Sequence, residues 1–414
     1  MVAAGADGRE LLVRDESGQL AVTLEPGEGP SLRAGDIVAL ELAATRDCDA
    51  DAGARAERWM LLTPFADDDS PFPSPQHEHG RLFGATQRAR ALRQRARALA
   101  AVRAFFDGRG YVEVDSPRRV RCPGLEPEIE AVASGERWLI TSPEYHLKRL
   151  LAGGLERIYS LGHCFRGGER GAQHLDEFTM LEWYCGYGTL DALMRETEAL
   201  LRHVAAALHG RAGVAAARVL RFDGREVDLA APFARHDVGE LLERHAGVSL
   251  AGAERDAREL ARRARAAGHV WADAELRYAE TFSRLWVDHV EPALGAAPCF
   301  VTRFPIALAA LSRPCADDPA RAERFELYAG GLELANAFGE LTNADEQLRR
   351  FEHERAERRA AGRAVHAIDE RFIAALREGI PPSAGIALGF DRLLMLLLDA
   401  RDIAEVVPFA PEDV

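Results

Sequence analysis

Apolar residues recur first at strand spacing. They form three short runs, 9–24 (RELLVRDESGQLAVTL), 34–46 (AGDIVALELAATR) and 57–64 (ERWMLLTP), punctuated by Asp-Glu-Ser-Gly and Ala-Gly-Asp. The stretch 66–80, ADDDSPFPSPQHEHG, is acidic, proline-rich and poor in aliphatics, and it marks a domain boundary. From 86 to 109 the period changes to that of a helix. Leu92, Leu99, Val102 and Phe106 share one face, arginines cover the other, and Gly110 ends the run. YVEVDSP follows as a strand stopped by Pro117. Segments 189–209 and 252–267 read as surface helices, 344–360 as a charged helix and 391–400 as a final apolar one. Segments 298–313 and 324–342 read as strands around glycine turns, and no internal repeat is visible. Strands that carry polar residues, separated by long helical insertions, predict an α+β domain on an antiparallel sheet. The division expected is a small β-rich region over 1–65, a linker over 66–85 and one large domain over 86–414.

The stretch 141–184, TSPEYHLKRLLAGGLERIYSLGHCFRGGERGAQHLDEFTMLEWY, packs charged and aromatic residues between apolar ones and reads as a strand–loop–strand hairpin. In its second arm Phe178, Met180, Glu182 and Tyr184 point one way, and Thr179, Leu181 and Trp183 the other. With Leu181 and Trp183 in the core, Phe178, Glu182 and Tyr184 line a cleft. There an aromatic ring can stack on a base, and a carboxylate with a phenol can receive an ammonium. Taken alone, the arm fits a strand with one solvated face equally well. Arg166 ends the first arm before a glycine-rich loop, where a guanidinium can fork onto a carboxylate or phosphate, or can be an ordinary surface arginine. Lys148 lies in the same stretch and is the single lysine of the chain.

The segment 324–342 repeats the pattern. Asn336, Phe338 and Glu340 share a face, and Glu326 and Glu333 flank the Gly330-Gly331 turn. Two carboxylates there suit Mg²⁺, which takes few protein oxygens besides phosphate; solvated turn acids are the plainer alternative. Near the end, SAGIALGFDRLLMLLL runs from a glycine-spaced strand into a helix. Arg392 stands in its first turn, where backbone amides already favour anions.

Composition narrows the class. In 414 residues, 47% hydrophobic and 29% charged content describe a globular chain with room for a sizeable core. No run of about 18 apolar residues predicts a membrane span. The N-terminus lacks the basic-then-apolar pattern of a signal peptide. Six scattered cysteines without a CxxC pair point to free thiols in a reducing, cytoplasmic setting and not to zinc. A net charge of −14 argues weakly against tRNA as a partner, because phosphate binding favours a basic face.

Taken together, these segments resemble the catalytic domain of class II aminoacyl-tRNA synthetases, over about 86 to 410. The helix followed by YVEVDSP is similar to motif 1, CFRGGERGAQHLDEF to motif 2 and GIALGFDR to motif 3. TSPEYHLKRLL, EFTMLEWY and RFELY…GLELANAFGEL resemble signatures of the lysyl branch. Within that branch the chain looks closest to the elongation factor P–(R)-β-lysine ligases, through TSPEYH, LEWY and Ala387, which stands where synthetases usually have glycine. The region ahead of the catalytic domain, shorter than the synthetases' anticodon-binding domain, is read as a reduced piece of its OB fold.

The resemblance implies the following roles. Arg166 contacts the substrate carboxylate and α-phosphate, and Arg392 the γ-phosphate. Phe178 stacks on adenine, His174 lies near the phosphates, and Glu326 and Glu333 bind Mg²⁺. Ser142, Glu144, Glu182, Tyr184, Asn336, Glu340 and Ala387 form the diamino-acid pocket. ATP and Mg²⁺ are the cofactors implied, elongation factor P the acceptor, and a homodimer through 86–117 the assembly. The chain departs from the family twice in motif 2, with Arg166-Gly167-Gly168 for Arg-Asn-Glu and His174-Leu175-Asp176-Glu177 for His-Asn-Pro-Glu; Glu169 is the possible substitute for the lost glutamate. Ala337 also replaces a usual glycine. These changes keep a non-catalytic amino-acid-binding paralogue among the alternatives, beside a compact lysyl-tRNA synthetase.

Overall fold

In the computed structural model, residues 2–4, 10–14, 19–24, 32–43, 54–63, 87–210, 218–273 and 276–409 are described. The chain divides into two compact units, Met1–Gln94 with Pro408–Val414, and Arg95–Val407. The first holds β1 (Val2–Ala4), β2 (Glu10–Arg14), β3 (Gln19–Leu24), β4 (Ile37–Leu42) and β5 (Ala54–Thr63). They form one sheet in the order β1-β2-β3-β5-β4, with β3 and β5 parallel. Where they are described, the three runs expected to be strands hold β2 to β5, and Leu11, Val22, Leu24, Leu32 and Ala56 bury their apolar sides together. The expected boundary at 66–80 lies outside the described residues.

The second unit is built on eight strands. They are β6 (Val112–Glu113), β10 (Arg157–Phe165), β11 (Glu177–Gly186), β14 (Ala234–Asp237), β15 (Cys299–Thr302), β16 (Arg324–Ala329), β17 (Leu332–Gly339) and β18 (Ser383–Gly389). Their order is β14-β15-β16-β17-β18-β11-β10-β6, antiparallel through the middle and parallel only in the two edge pairs. Two small sheets, β7 (Arg119–Val120) with β8 (Ala133–Ser134) and β9 (Arg137–Leu139), and β12 (Val219–Phe222) with β13 (Arg225–Asp228), complete the strands. The described helices are α1 (Gln87–Asp107), α2 (Glu144–Ala152), α3 (Leu190–His209), α4 (Val238–Ala246), α5 (Ala257–Ala266), α6 (Tyr278–Leu285), α7 (Ala344–Ala360), α8 (Glu370–Glu378) and α9 (Phe390–Leu398). This is the α+β architecture the strand and helix pattern predicts.

The alternation read along 178–184 separates two cores. Leu181 and Trp183 are fully buried with Phe106 and Tyr159, whose rings stack 4.6 Å apart. Tyr184 joins a cluster on the opposite side with Tyr145, Leu147 and Phe372. Two expectations need correction. Segment 189–209 is no mere surface helix: α3 buries Leu193, Leu200, Leu201 and Val204 against the sheet, so one face is core. Residues 144–152 are helical, so 141–184 is a helix followed by a hairpin. Glu144 and Lys148 therefore stand one turn apart on α2. Pro143 ahead of α2 and Glu144 in its first turn are ordinary helix-start chemistry.

A buried ion pair fixes the helix that carries Arg392. Arg95 of α1 donates to Asp391 Oδ1 at 2.5 Å, to Thr179 Oγ1 at 2.6 Å and to the Val406 carbonyl at 3.1 Å. The second Asp391 oxygen accepts the Thr179 amide at 2.7 Å. Each group is satisfied, which is the condition for a buried charge pair to hold a structure together. The start of α9 is thereby tied to β11.

Candidate active site

The register of the sheet lines the site up. Glu326 pairs with Asn336, Asn336 with Ala387 and Ala387 with Glu182, so one rung crosses β16, β17, β18 and β11 with four pocket candidates in a row. The rung two residues away runs Arg324, Phe338, Gly385, Tyr184. Side chains two apart on a strand share a face, so both rungs point into the same space. Glu333, three residues before Asn336, would face away from it in a regular strand. A bulge where Tyr328 pairs with Glu333 and Leu327 with Ala335 leaves Leu334 unpaired and turns Glu333 to the pocket side.

The cavity over these rungs is about 940 Å³ and is lined by Ser142, Glu144, Arg166, Glu182, Tyr184, Glu326, Glu333, Asn336 and Ala387. Trp286, Phe282, Phe304 and Phe338 supply an apolar wall. Nine of the expected positions thus meet in one space. Glu340 sits just past β17, almost wholly buried, with Lys148 in contact on one oxygen. Arg392 and His174 join from the rim. Arg392 donates to the Glu333 carbonyl at 2.8 Å and to the Gln173 carbonyl at 3.1 Å, and touches His174 Nε2. Phe178 lies beneath Arg166, with the guanidinium 5.3 Å from the ring centre. Glu169 does not line the cavity; it sits near enough to His174 to favour its charged form, while burial and Arg392 pull the imidazole's pKa down.

Two groups of carboxylates divide the cavity. At one end Glu182 accepts from Ser142 Oγ at 2.8 Å and from Tyr184 Oη at 2.6 Å. Burial, and then the neighbouring Glu144, push the Glu182 carboxyl up to about 8. Glu340 rises to about 8 as well, because burial works against its charge while Lys148 works for it. At the other end burial lifts Glu326 to about 7, although Arg324 donates to it at 2.7 Å and Tyr328 at 2.8 Å. Glu333 adjoins it and pairs loosely with Arg392 at 3.7 Å. Carboxyls held near neutrality by desolvation are poised to ionise when a cation arrives.

Sequence reasoning passed over Arg324 and Tyr328 and left Lys148 without a role. Arg324 donates to Asn336 Oδ1 at 3.0 Å as well as to Glu326, and so orients both. The signal was present, since Arg324, Glu326 and Tyr328 alternate along β16 as Asn336 and Phe338 do along β17. Lys148, which had no role, lies between Glu144, at 2.5 Å, and Glu340.

Gly385 is fixed by this crowding. A Cβ there would stand 2.2 Å from Tyr184 Cε1 and 2.5 Å from Glu340 Oε1. Gly385→Ala is expected to displace both side chains and raise the KM for the amino-acid substrate about tenfold, with the KM for ATP little changed. Substrate-saturation curves for pyrophosphate exchange check this.

Residues 77–413 match the family described as class II tRNA synthetases (D, K and N). The chain belongs to that family. It is 38% identical over 332 residues to an elongation factor P–(R)-β-lysine ligase of Edwardsiella ictaluri, covering 77% of this chain and 94% of that one. The similar ligase of Hamiltonella defensa is 36% identical over 333 residues, with 78% and 95% covered. A lysine–tRNA ligase of Anaeromyxobacter sp. (strain K) is 34% identical over 446 aligned positions, covering 96% of this chain and 83% of that protein. Such a match must extend into residues ahead of 77. Among the described residues no helix is long and apolar enough to cross a membrane.

Proposed function

We propose that this protein is an ATP-dependent ligase that activates (R)-β-lysine, or lysine, as an aminoacyl adenylate and transfers it to a lysine side chain of elongation factor P. The observation that carries the reading is the rung Glu326–Asn336–Ala387–Glu182. It sets an acidic, desolvated amino-acid end beside Arg166 and a second carboxylate pair, within a family whose similar members bear that ligase name.

In the first step a substrate carboxylate oxygen attacks the α-phosphorus of ATP, the bond to the bridging oxygen breaks, and pyrophosphate leaves. The barrier is mostly one of positioning and of charge growing on phosphorus. Arg166 supplies positive charge at the reacting end, and Arg392 at the rim takes the outer phosphates. Phe178, under Arg166, offers its face to adenine, with His174 near the phosphates. Glu326 and Glu333 are the residues that would hold Mg²⁺. The two carboxylates adjoin in the cavity, a donor set suited to an ion that takes most of its oxygens from phosphate and water. The ion would supply charge neutralisation at the phosphates. Glu144, Glu182 and Glu340, with Ser142, Tyr184 and Asn336, receive the two ammonium groups. In the second step an uncharged acceptor amine attacks the acyl carbon, AMP leaves, and the nitrogen gives up one proton.

Residues 86–117 would form a homodimer contact, the region ahead of 66 would be a reduced OB-like piece, 66–85 a linker, and the protein cytoplasmic. A compact lysyl-tRNA synthetase is the second reading, favoured by the 96% coverage from lysine–tRNA ligases.

Incubating elongation factor P with the protein, ATP and each lysine isomer separates the two. A mass increase of one lysyl group, larger with (R)-β-lysine, supports the ligase; robust tRNA charging without protein modification overturns it. Ala387 adds one methyl to the rung. Ala387→Gly is expected to shift the ratio of kcat/KM values toward α-lysine by about tenfold, within the ~1–3 kcal/mol that one methylene-sized difference controls.

A further inference from the structure

Of the 52 lysines and arginines in the chain, Lys148 is the single lysine, and it is fully buried. Its ammonium touches Glu144 Oε1 at 2.5 Å on its own helix, and a Glu340 oxygen brought in from the end of β17. Burial alone would pull its pKa down, but the two carboxylates more than offset that and raise it. The other charged or titratable groups facing it are Glu182 and Tyr184 from β11, and Glu126 from the loop before β8. The Phe372 ring of α8 lies 5.9 Å from its nitrogen, and the Arg313 charge also favours the ionised form of Glu340.

We propose that Lys148 is a specificity-determining positioning residue. Its ammonium clamps Glu144 to Glu340 and offsets one of the three negative charges that Glu144, Glu182 and Glu340 carry when ionised, setting that end of the cavity to receive two ammonium groups. This role rests on the diamino-acid reading of the pocket. Once ionised around a bound substrate, Glu144, Glu182 and Glu340 leave two negative charges beside that ammonium, which matches the two cationic groups of a diamino acid. A pocket that matches charge in a desolvated space discriminates by what it leaves unpaired. A substrate with one ammonium leaves one of these carboxyls protonated and without its cationic partner.

The choice of lysine in an arginine-rich chain fits that geometry. An ammonium is a compact centre from which tetrahedral donors reach two carboxylates on different elements. A guanidinium is a wide planar fork that serves one carboxylate side-on.

Calorimetric titration of lysine and (R)-β-lysine into wild type, Lys148→Ala and Lys148→Arg tests this. Both variants are expected to lose about tenfold or more in affinity for either isomer, as removal of one partner from a buried charge cluster implies. Adding propylammonium, which matches the atoms deleted in Lys148→Ala, is expected to recover most of that loss. Guanidinium and propanol should not. Affinity within about threefold of wild type in either variant overturns the proposal, and so does a loss that propylammonium leaves untouched, since that marks a packing role.

The unmutated protein gives an independent readout. Lysine labelled with ¹³C at Cε yields one side-chain resonance, which should move on adding unlabelled (R)-β-lysine or lysine and stay in place on adding alanine. A resonance indifferent to all three overturns the role even where the variants fail to fold. Wild-type protein that binds neither isomer would sink the diamino-acid reading itself, and this role with it.

Discussion

Arg166→Ala is expected to lower lysine-dependent pyrophosphate exchange by about 10²–10³-fold, the scale of losing one charged group aimed at a developing oxyanion. Arg166 makes no ion pair among the described residues, and its Nε is buried without a hydrogen-bond partner. Its backbone amide donates to the Asp176 carbonyl at 2.9 Å, which closes the base of the 167–175 loop. The guanidinium rests over Phe178 and faces the cavity, so its charge is held ready with no internal partner to displace. Most of the effect should fall on kcat, because the group acts on charge that grows in the transition state. Arg166→Lys should recover little, since a point charge does not reproduce the planar fork. A tenfold or smaller loss in Arg166→Ala would remove Arg166 from the chemistry.

Glu182→Gln is expected to reduce kcat/KM for the diamino acid by about 10²-fold, through loss of a buried charge opposite an ammonium. The pH profile is the sharper measurement. Burial pushes the Glu182 and Glu340 carboxyls up to about 8, and on the proposed reading the two ammonium groups of the substrate bind their ionised forms. In wild type log KM should therefore fall steeply as pH rises toward 8 and level off above it. In Glu182→Gln the slope should drop by one, leaving the limb that belongs to Glu340. An unchanged slope would mean Glu182 does not meet the ammonium. Stability follows the opposite sign. These carboxyls bind protons more tightly folded than unfolded, so the ligand-free protein should lose stability as pH rises from about 4.5 to about 8, then hold constant. A thermal-melt series across that range, with and without substrate, checks the direction.

Much of the sheet was legible because its strands carry period-two alternation with glycine stops. The run 178–184 and the trio Asn336, Phe338 and Glu340 emerged with the correct faces, and 383–389 emerged as a strand. The helical state of 144–152 escaped because its polar residues were read with the hairpin that follows, although Pro143 and Glu144 announced a helix start. Glu333 could be placed near the turn but not on the pocket face, since its orientation depends on a bulge and a bulge leaves no periodic trace. Lys148 stayed without a role for a different reason. Its meaning lies in Glu340, on a strand distant in sequence, and only the folded chain brings the two together.

β18 is the lowest ground of the pocket, bounded on both sides by strands with taller side chains. Of its two positions that face the cavity, Gly385 is locked by Tyr184 and Glu340, while Ala387 is partly exposed. The strand's other face is sealed into the core through Ile386 and Leu388. On the proposed reading, substrate length and substrate charge are controlled by separate parts of the site. A change at 387 retunes how deep an amino acid can sit while every carboxylate stays where it is. Descendants of this chain that take shorter or longer diamino acids have a one-residue route open to them, and it passes through that methyl group.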